Sequence, residues 1–182
     1  MAPYPTLPEV QITTLGNGMV SQIQWSYDLK RPMENDSVMT EKREYDYGYG
    51  APGPLLRKTD YTWLQRDNPA YGVYNGEEFS IDYLTYHILD RKTSITIYDG
   101  NNNKVAQTKY VYDNNDPATY GGRGNLTSES HWRSTDGTWL TTSYVHDSYG
   151  NVVSKTDPDG YVTTYSYADN SWSALGNLYQ LQ

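Results

Sequence analysis

Hydrophobic and polar residues alternate along most of the chain, in short runs separated by Gly, Pro and Asn clusters. Alternation with a period of two is typical of β-strands, and no stretch keeps a helical period without interruption. The pattern therefore predicts an all-β protein with essentially no helix. The predicted strands cover residues 19–27, 38–46, 55–64, 81–89, 93–98, 104–112, 126–132, 138–146, 152–153 and 161–167.

The segments between these strands carry turn signals that predict antiparallel hairpins. Asp136-Gly137 separates two alternating runs, which is a strong hairpin signal. Asp157-Pro158-Asp159-Gly160 is a second turn, in which Pro fixes φ and Gly supplies a positive φ. Residues 144–169 read as one complete unit of two strands, a Gly-Asn turn and this second turn.

A spacing of 26 residues indicates that this unit is repeated. Gly-Asn pairs place Asn125, Asn151 and Asn177 at equal intervals of 26. We predict one β-repeat region over residues 1–182, with weak repeats in 19–64, an inserted loop at 65–80 and clearer repeats in 81–182. The hairpins could form one open sheet or a sandwich, and the pattern leaves both open.

Composition supports a sheet with wet surfaces. The chain has 20 Tyr and 5 Trp against 1 Phe, and its hydrophobic content is 36%. Most of its large side chains therefore carry a polar tip, which suits half-exposed sheet faces.

Charge and cysteine content exclude several classes of partner and chemistry. The net charge of −8 argues against nucleic acid and anionic membranes as partners, because no basic stripe is present. The absence of cysteine excludes disulfides and thiolate chemistry. No apolar run is long enough to insert in a membrane, and residues 1–10 do not resemble a signal peptide. We expect the chain to be a fragment of a longer protein.

Tyr-Asp pairs recur at predicted strand ends, and two roles can be considered for them. One is an acid–base dyad. The other is structural, with Tyr packing on the sheet and Asp capping the turn that follows. Adjacent residues of a strand point to opposite faces, so the structural role is favoured. No catalytic residue is predicted, and the chain is not expected to be an enzyme.

Metal and cofactor chemistry have little support. His87, His131 and His146 lack the paired spacing and the Cys partners of a zinc site. The cluster at residues 113–116 offers oxygen ligands for calcium but lacks the Gly and terminal Glu of an EF-hand loop. We predict no metal site and no cofactor.

Binding of a ligand is the alternative function. Trp132, Trp139 and Trp172 lie in the polar C-terminal half, where flat rings on an open sheet could bind sugars. Tyr and Trp at strand spacing are also common cross-strand packing pairs. These tryptophans are the candidate ligand-binding residues.

The strand ends and turns resemble the YD-repeat, or RHS-repeat, family. The pattern is Tyr-Asp at a strand end, Gly-Asn-hydrophobe, and then Thr-Asp-Pro-x-Gly before alternating Tyr residues. It is clearest from about residue 87 to 182 and weaker from 19 to 64. His146-Asp147 departs from it, since His stands where Tyr is expected. The signature residues are Tyr98, Asp99, Tyr112, Asp113, Gly150, Asn151, Asp157, Pro158, Gly160, Tyr165 and Tyr167.

The resemblance implies an antiparallel hairpin array that belongs to a larger bacterial protein, secreted or on the cell surface. In such proteins the sheet encloses a toxin or forms part of an adhesion protein. The expected role is a structural module that encloses or displays another domain, with other repeats or domains of the parent chain as partners. The alternative is a carbohydrate-binding adhesion module, whose partner would be a glycan or a cell-surface receptor.

Overall fold

A computed structural model describes residues 7–28, 38–64, 73–74, 77–78, 91–116 and 123–167. These residues form twelve strands and one short 3₁₀ turn at Asp113–Asn115. The strands are β1 (Val10–Thr14), β2 (Met19–Asp28), β3 (Val38–Tyr49), β4 (Leu55–Trp63), β5 (Val73–Tyr74), β6 (Glu77–Glu78), β7 (Lys92–Asp99), β8 (Lys104–Tyr112), β9 (Leu126–Trp132), β10 (Trp139–His146), β11 (Val152–Thr156) and β12 (Val162–Thr164).

Ten of these strands form one open antiparallel sheet. Its order is β1-β2-β3-β4-β7-β8-β9-β10-β11-β12, which is the order in the chain apart from the small hairpin β5-β6. Every neighbouring pair is antiparallel. The arrangement is a meander with nine antiparallel strand pairs, so the strands form one open sheet and not a sandwich.

The predicted strands agree well with the sheet. Each predicted run outside residues 81–89 contains a strand, whereas that run lies outside the described residues. Strand β1 adds an edge strand before the first predicted one. Within the predicted loop at 65–80, Val73 pairs with Glu78 and Tyr74 with Glu77, so this segment contains a two-stranded hairpin.

Directly paired residues of neighbouring strands lie on the same side of a sheet, so the strand register assigns each residue to one of two faces. The two faces differ in character. We call them the apolar face and the polar face. Two rows on the apolar face are Trp25, Lys42, Thr59, Ile97 and Ala106, and Tyr61, Ile95, Thr108, His131 and Leu140. Two rows on the polar face are Gln24, Arg43, Lys58, Tyr98 and Lys104, and Thr62, Ser94, Lys109, Ser130 and Thr141.

Neither face is covered by a second layer of described residues. The strands contact their neighbours in the sheet, and most of their side chains remain half-buried. A small core forms where Leu64 and Tyr112 pack together with Tyr110 and Leu126. Among the described residues no helix is long and apolar enough to span a membrane.

Candidate functional site

The turn after β7 shows how a strand-end aspartate closes a hairpin. The backbone amides of Asn101 and Asn103 donate hydrogen bonds to Asp99 Oδ1, at 2.9 and 2.8 Å. Asn103 Nδ2 donates to Asp99 Oδ2 at 3.0 Å, and the amide of Asp99 donates to the Asn103 carbonyl at 2.9 Å. Both carboxylate oxygens are therefore used by the turn.

The turn after β10 repeats this geometry. The amides of Tyr149 and Asn151 donate to Asp147 Oδ1, at 2.8 and 2.9 Å, and Asn151 Nδ2 donates to Oδ2 at 3.0 Å. Gly150 supplies the positive φ, +89°, that the turn requires. Signature residues Gly150 and Asn151 thus have structural roles in closing the turn.

The Asp-Pro-Asp-Gly turn between β11 and β12 uses the same device without a closing Asn. Asp157 Oδ1 accepts hydrogen bonds from the amides of Asp159 and Tyr161, at 3.0 and 2.9 Å. Gly160 has a φ of +88°. Pro158 occupies the position that the sequence pattern predicts for it, between the capping Asp and the Gly.

Asp113 closes a longer version of this turn and, at 1% exposure, is the most deeply buried of the described residues. Its Oδ2 accepts from the amide of Gly124 at 2.7 Å, and its Oδ1 accepts from the amide of Asn125 at 3.0 Å. The Asp113 amide donates to the Asn125 carbonyl at 2.9 Å, as Asp99 does to Asn103. Asn125 therefore occupies the place of Asn103 although it follows its aspartate by 12 positions instead of 4.

The long turn begins with three residues in the left-handed region. Asp113, Asn114 and Asn115 have φ of 46°, 51° and 59°. Asn and Asp tolerate this region better than other side chains because they can bond to the local backbone. The amide of Asn114 donates to Thr127 Oγ1 at 3.0 Å, which ties the turn to β9.

A cleft of about 460 Å³ separates this long turn from the turn at Asp147. Arg123 bridges the two, because its guanidinium donates to the Ser148 carbonyl. Asn125 lies beside Gly150, where an added Cβ would be 3.5 Å from Asn125 Oδ1. The two asparagines spaced by 26 residues thus close neighbouring turns at the same end of the sheet.

His146 occupies the strand-end position that the repeat pattern assigns to Tyr, and it borders the cleft. Its Nδ1 is buried without a hydrogen-bond partner among the described residues. The corresponding residue Tyr112 behaves differently, since its hydroxyl donates to the Lys92 carbonyl at 3.0 Å. Within the described part of the chain, this departure from the repeat pattern thus leaves a buried ring nitrogen without a hydrogen bond.

Hydrogen bonding lowers the pKa of several turn aspartates below their ordinary value. The Asn103 amide group is the main cause for Asp99, and that of Asn151 is the main cause for Asp147. The pKa of Asp136 is lowered chiefly by the Arg133 guanidinium. Each bond favours the charged carboxylate, so these turns are tightest with the acid ionised.

The tyrosines of the signature lie in three settings. Tyr98 is on the polar face, with Lys58 Nζ 4.2 Å from its ring centroid, while Tyr112 is buried. Tyr165 and Tyr167 are exposed beside the last strands, and the Tyr167 hydroxyl donates to the Val152 carbonyl at 2.8 Å.

Two of the three candidate ligand-binding tryptophans form a cross-strand pair. Trp132 in β9 lies directly opposite Trp139 in β10, and both are half-buried. Lys104 Nζ lies 4.0 Å from the Trp132 ring centroid, and Lys109 Nζ lies 4.4 Å from that of Trp139. Trp172 lies outside the described residues.

No group of three or more His, Asp or Glu side chains within the described ranges is placed to hold a metal ion. His131 instead contacts Glu129, at 3.2 Å, and Thr108. His87 lies outside the described residues.

Comparison with protein families finds one match to this chain. Residues 146–178 match the RHS repeat model. This segment therefore contains an RHS repeat. The matched segment starts at His146, the last residue of β10, and includes the turn at Asp147, β11, the Asp157 turn and β12. Among curated proteins, no match to the chain was found.

Sequence reasoning missed several contacts on which the turns depend. Asn103 and Asn125 are the partners of Asp99 and Asp113. The same backbone hydrogen bond joins each pair, from the Asp amide to the Asn carbonyl, and only the folded structure reveals it. Arg123 and the two lysines over the tryptophan pair were also missed, because no local pattern marks contacts between separate strands.

Proposed function

We propose that this chain is a structural, non-catalytic β-repeat module of a larger bacterial protein, on the cell surface or secreted for toxin delivery. Its sheet would enclose or display another domain of the parent. RHS repeats are typical of extracellular or surface-associated proteins, and residues 146–178 match that family.

The observation that carries the proposal is a ten-stranded sheet with no second layer over its apolar face in the described part of the chain. That face bears aliphatic residues in its central strands, including Ile95 and Ile97 of β7. Sheets in stable domains bury one face against another layer, so this face is suited to contact with another part of the parent protein.

The turns support a scaffold in a second way. The Asp carboxylates at strand ends are used by turn amides, as at Asp99 and Asp147, and not held free for chemistry. Charge-assisted bonds of this kind fix the hairpins rigidly in place. A rigid array of hairpins is what an enclosing or displaying wall requires.

Cross-linking of the full-length parent protein tests the proposal, because the two faces of the sheet carry different lysines. Lys42 and Lys155 lie on the apolar face, whereas Lys58, Lys104 and Lys109 lie on the polar face. After treatment with an amine-reactive cross-linker, mass spectrometry should find links to a domain outside the repeats from Lys42 and Lys155. Matched Lys→Arg variants at these two positions should remove those links and leave the links within the sheet intact.

Two results would contradict the proposal. One is the absence of links from the apolar face to any other domain, although lysines within the sheet react. The other is catalytic activity of the purified chain that is lost when a turn aspartate is substituted, although the unfolding midpoint of the variant is unchanged.

A further inference from the structure

The first hairpin turn contains an asparagine that is followed directly by a glycine. Asn17 and Gly18 lie between β1 and β2, and Asn17 is exposed. The backbone nitrogen of Gly18 is separated from the side-chain carbon Cγ of Asn17 by only three chain atoms. Gly18 has a φ of +81° and no side chain that could shield this nitrogen. The turn therefore places a carboxamide carbon beside an open backbone nitrogen.

Attack by the Gly18 nitrogen on Asn17 Cγ closes a five-membered succinimide ring. The Met19 amide donates a hydrogen bond to Asn17 Oδ1 at 3.1 Å. This bond holds the carboxamide in place and stabilises the negative charge that develops on Oδ1 during the attack. The amide proton of Gly18 passes to the side-chain nitrogen, which leaves as ammonia. Water then opens the ring at either carbonyl, and the product is aspartate or isoaspartate.

One hydrogen bond opposes the attack and sets its rate. The Gly18 amide donates to the Leu15 carbonyl at 2.9 Å, so this bond must open before the nitrogen can react. Among the described strands, β1 lies at an edge of the sheet and pairs with β2 alone. Such peripheral elements open locally at low cost. The reaction is therefore slow but accessible in the folded chain, and it accelerates with pH because the nitrogen must lose its proton.

Asparagines that close other turns are held more firmly. The side-chain amides of Asn103 and Asn151 donate to the carboxylates of Asp99 and Asp147, both at 3.0 Å. Each of these asparagines is followed by a residue with a side chain and not by glycine. By contrast, Nδ2 of Asn17 makes no hydrogen bond within the described part of the chain. The structure thus distinguishes Asn17 from the asparagines of the repeat turns.

Contacts with the neighbouring strand make the first turn sensitive to a change in its backbone. The Gly18 carbonyl accepts a hydrogen bond from the Gly50 amide at 3.0 Å, and the Leu15 amide donates to the Met19 carbonyl at 2.8 Å. The Tyr49 ring packs on Gly18, where an added Cβ would lie 3.5 Å from a ring carbon. Isoaspartate inserts a methylene group into the main chain, so the turn cannot keep all of these contacts.

We propose that Asn17 is a site of spontaneous deamidation and that its isoaspartate product releases β1 from the sheet. Release of β1 uncovers the outer edge of β2, because β1 is the strand that pairs with that edge. An uncovered edge offers unpaired backbone groups to another strand. The reaction depends on the first turn alone and not on the role proposed for the apolar face.

Incubation of the intact chain at neutral and at mildly alkaline pH tests the proposal. Peptide mapping by mass spectrometry detects the replacement of an amide by an acid, and labelling by protein isoaspartate methyltransferase detects isoaspartate. We expect modification of Asn17 that increases with time and pH, while Asn103 and Asn151 stay intact. In the aged chain, the amides of Leu15 and Gly50 should exchange hydrogen faster than in the fresh chain by at least about tenfold, with β7 unchanged.

Variants at this position separate the chemistry from its structural effect. Asn17→Ser keeps an oxygen that can accept from Met19 but has no amide to lose, so β1 should stay protected in aged samples. Asn17→Asp carries the charge of the product without the added methylene, so the freshly prepared variant should exchange like the parent. If unfolding midpoints show that the Ser variant does not fold, Asn17→Gln takes its place, because its longer side chain forms a less favourable ring.

A second Asn-Gly pair provides a reference within the same sample. Asn75-Gly76 has the same reactive groups and lies outside the described residues. Modification of Asn75 while Asn17 stays intact would overturn the proposal, as would the absence of modification at both positions. Isoaspartate at Asn17 without faster exchange at Leu15 and Gly50 would contradict the release of β1. Faster exchange in the fresh Asp variant would contradict the role of the added methylene.

Discussion

At the residue scale, a carboxylate that accepts backbone amides is the recurring device. Asp99 and Asp147 bind the amide two positions on and the amide four positions on, and Asp113 binds two amides after a much longer loop. Asp113 differs from the other two in burial, since only 1% of it is exposed. A buried acceptor that is removed leaves its donors without water or protein partners.

Substitution of Asp113 should therefore be costly. Asp113→Ala leaves the amides of Gly124 and Asn125 without their acceptor, and we expect a loss of about 3 kcal/mol in the free energy of unfolding. Urea unfolding followed by circular dichroism measures it. Asp159→Ala is the control, because Asp159 is exposed and should change stability by less than about 0.5 kcal/mol. Equal effects of the two substitutions would show that the buried carboxylate does not close the long turn.

The lowered pKa values of Asp99 and Asp147 predict a pH dependence of stability. Each pKa is lower in the folded chain than in the unfolded one, so the contribution is present above the unfolded value, about 4, and is lost as pH falls through the folded pKa. We expect the unfolding midpoint in urea to fall steadily below about pH 4. The variant Asp99→Asn/Asp147→Asn should show a flatter profile in that range, whereas Asp159→Asn should follow the parent profile. A double variant with the parent's slope would contradict the assignment.

At the scale of single elements, glycines in the hairpin turns differ in how much space surrounds them. Some of them could therefore accept a side chain, whereas others could not. A Cβ built on Gly100 would lie 2.0 Å from the Leu55 carbonyl oxygen, a backbone atom that has little freedom to move. Gly16, in the first hairpin turn, has no atom within 4 Å of its added Cβ and no positive φ. These two glycines occupy comparable turns but differ in packing.

The two positions make a matched pair of substitutions. Gly100→Ala forces β4 and the β7-β8 turn apart, and we expect a loss of about 3 kcal/mol, at the upper end of overpacking effects. Gly16→Ala should be close to neutral. Thermal unfolding of both variants measures the difference, and a neutral Gly100→Ala would mean that the turn and β4 can separate without cost.

His146 shows an element-scale consequence of a departure from the repeat. Because its Nδ1 is buried without a partner in the described part of the chain, replacement by the Tyr of the repeat pattern should stabilise the fold. We expect His146→Tyr to raise the free energy of unfolding by about 1 kcal/mol, as the unsatisfied atom is removed and more apolar area is buried. His131→Tyr, at an exposed position, is the control. Urea unfolding decides, and destabilisation by His146→Tyr would show that the site cannot hold the larger ring.

The strands and their turns could be predicted from the sequence because both are local properties. Alternation identified β2, β3, β4 and β7 to β12, and Gly or Asp-Gly marked the hairpins. The closure of Asp113 by Asn125 was not predicted, since it depends on a backbone pairing across a long loop. The position of Lys104 over Trp132 was missed for the same reason, because it results from the register between β8 and β9.

At the scale of the whole molecule, contacts between neighbouring strands stabilise the sheet. Each strand contacts the strands beside it, as in other repeat arrays, and buried Thr59 and Thr96 mark the central strands β4 and β7. Among the described strands, β12 lies at one edge of the sheet, has only exposed residues and pairs with one neighbour. Stability should therefore decline from the centre toward the edges.

Native-state hydrogen exchange measures that gradient. Amides of β7 and β8 should exchange more slowly than those of β1 and β12 by a factor of about 100 or more, because frayed edges open with little cost. Exchange measured on a variant such as Gly100→Ala would serve as an internal check, since it should accelerate the central strands first. Uniform protection across all ten strands would instead indicate a single cooperative unit.

The long turn at Asp113 has a consequence for protein engineering. Its ends are fixed by the Asp113 carboxylate and the backbone bond to Asn125, and the same closure works in the short turn at Asp99. The residues between the two closing positions can thus vary in number while the flanking strands keep their register. A foreign peptide grafted between Asp147 and Asn151, by analogy with the natural extension, should be presented at the end of the hairpin without disturbing β10 or β11.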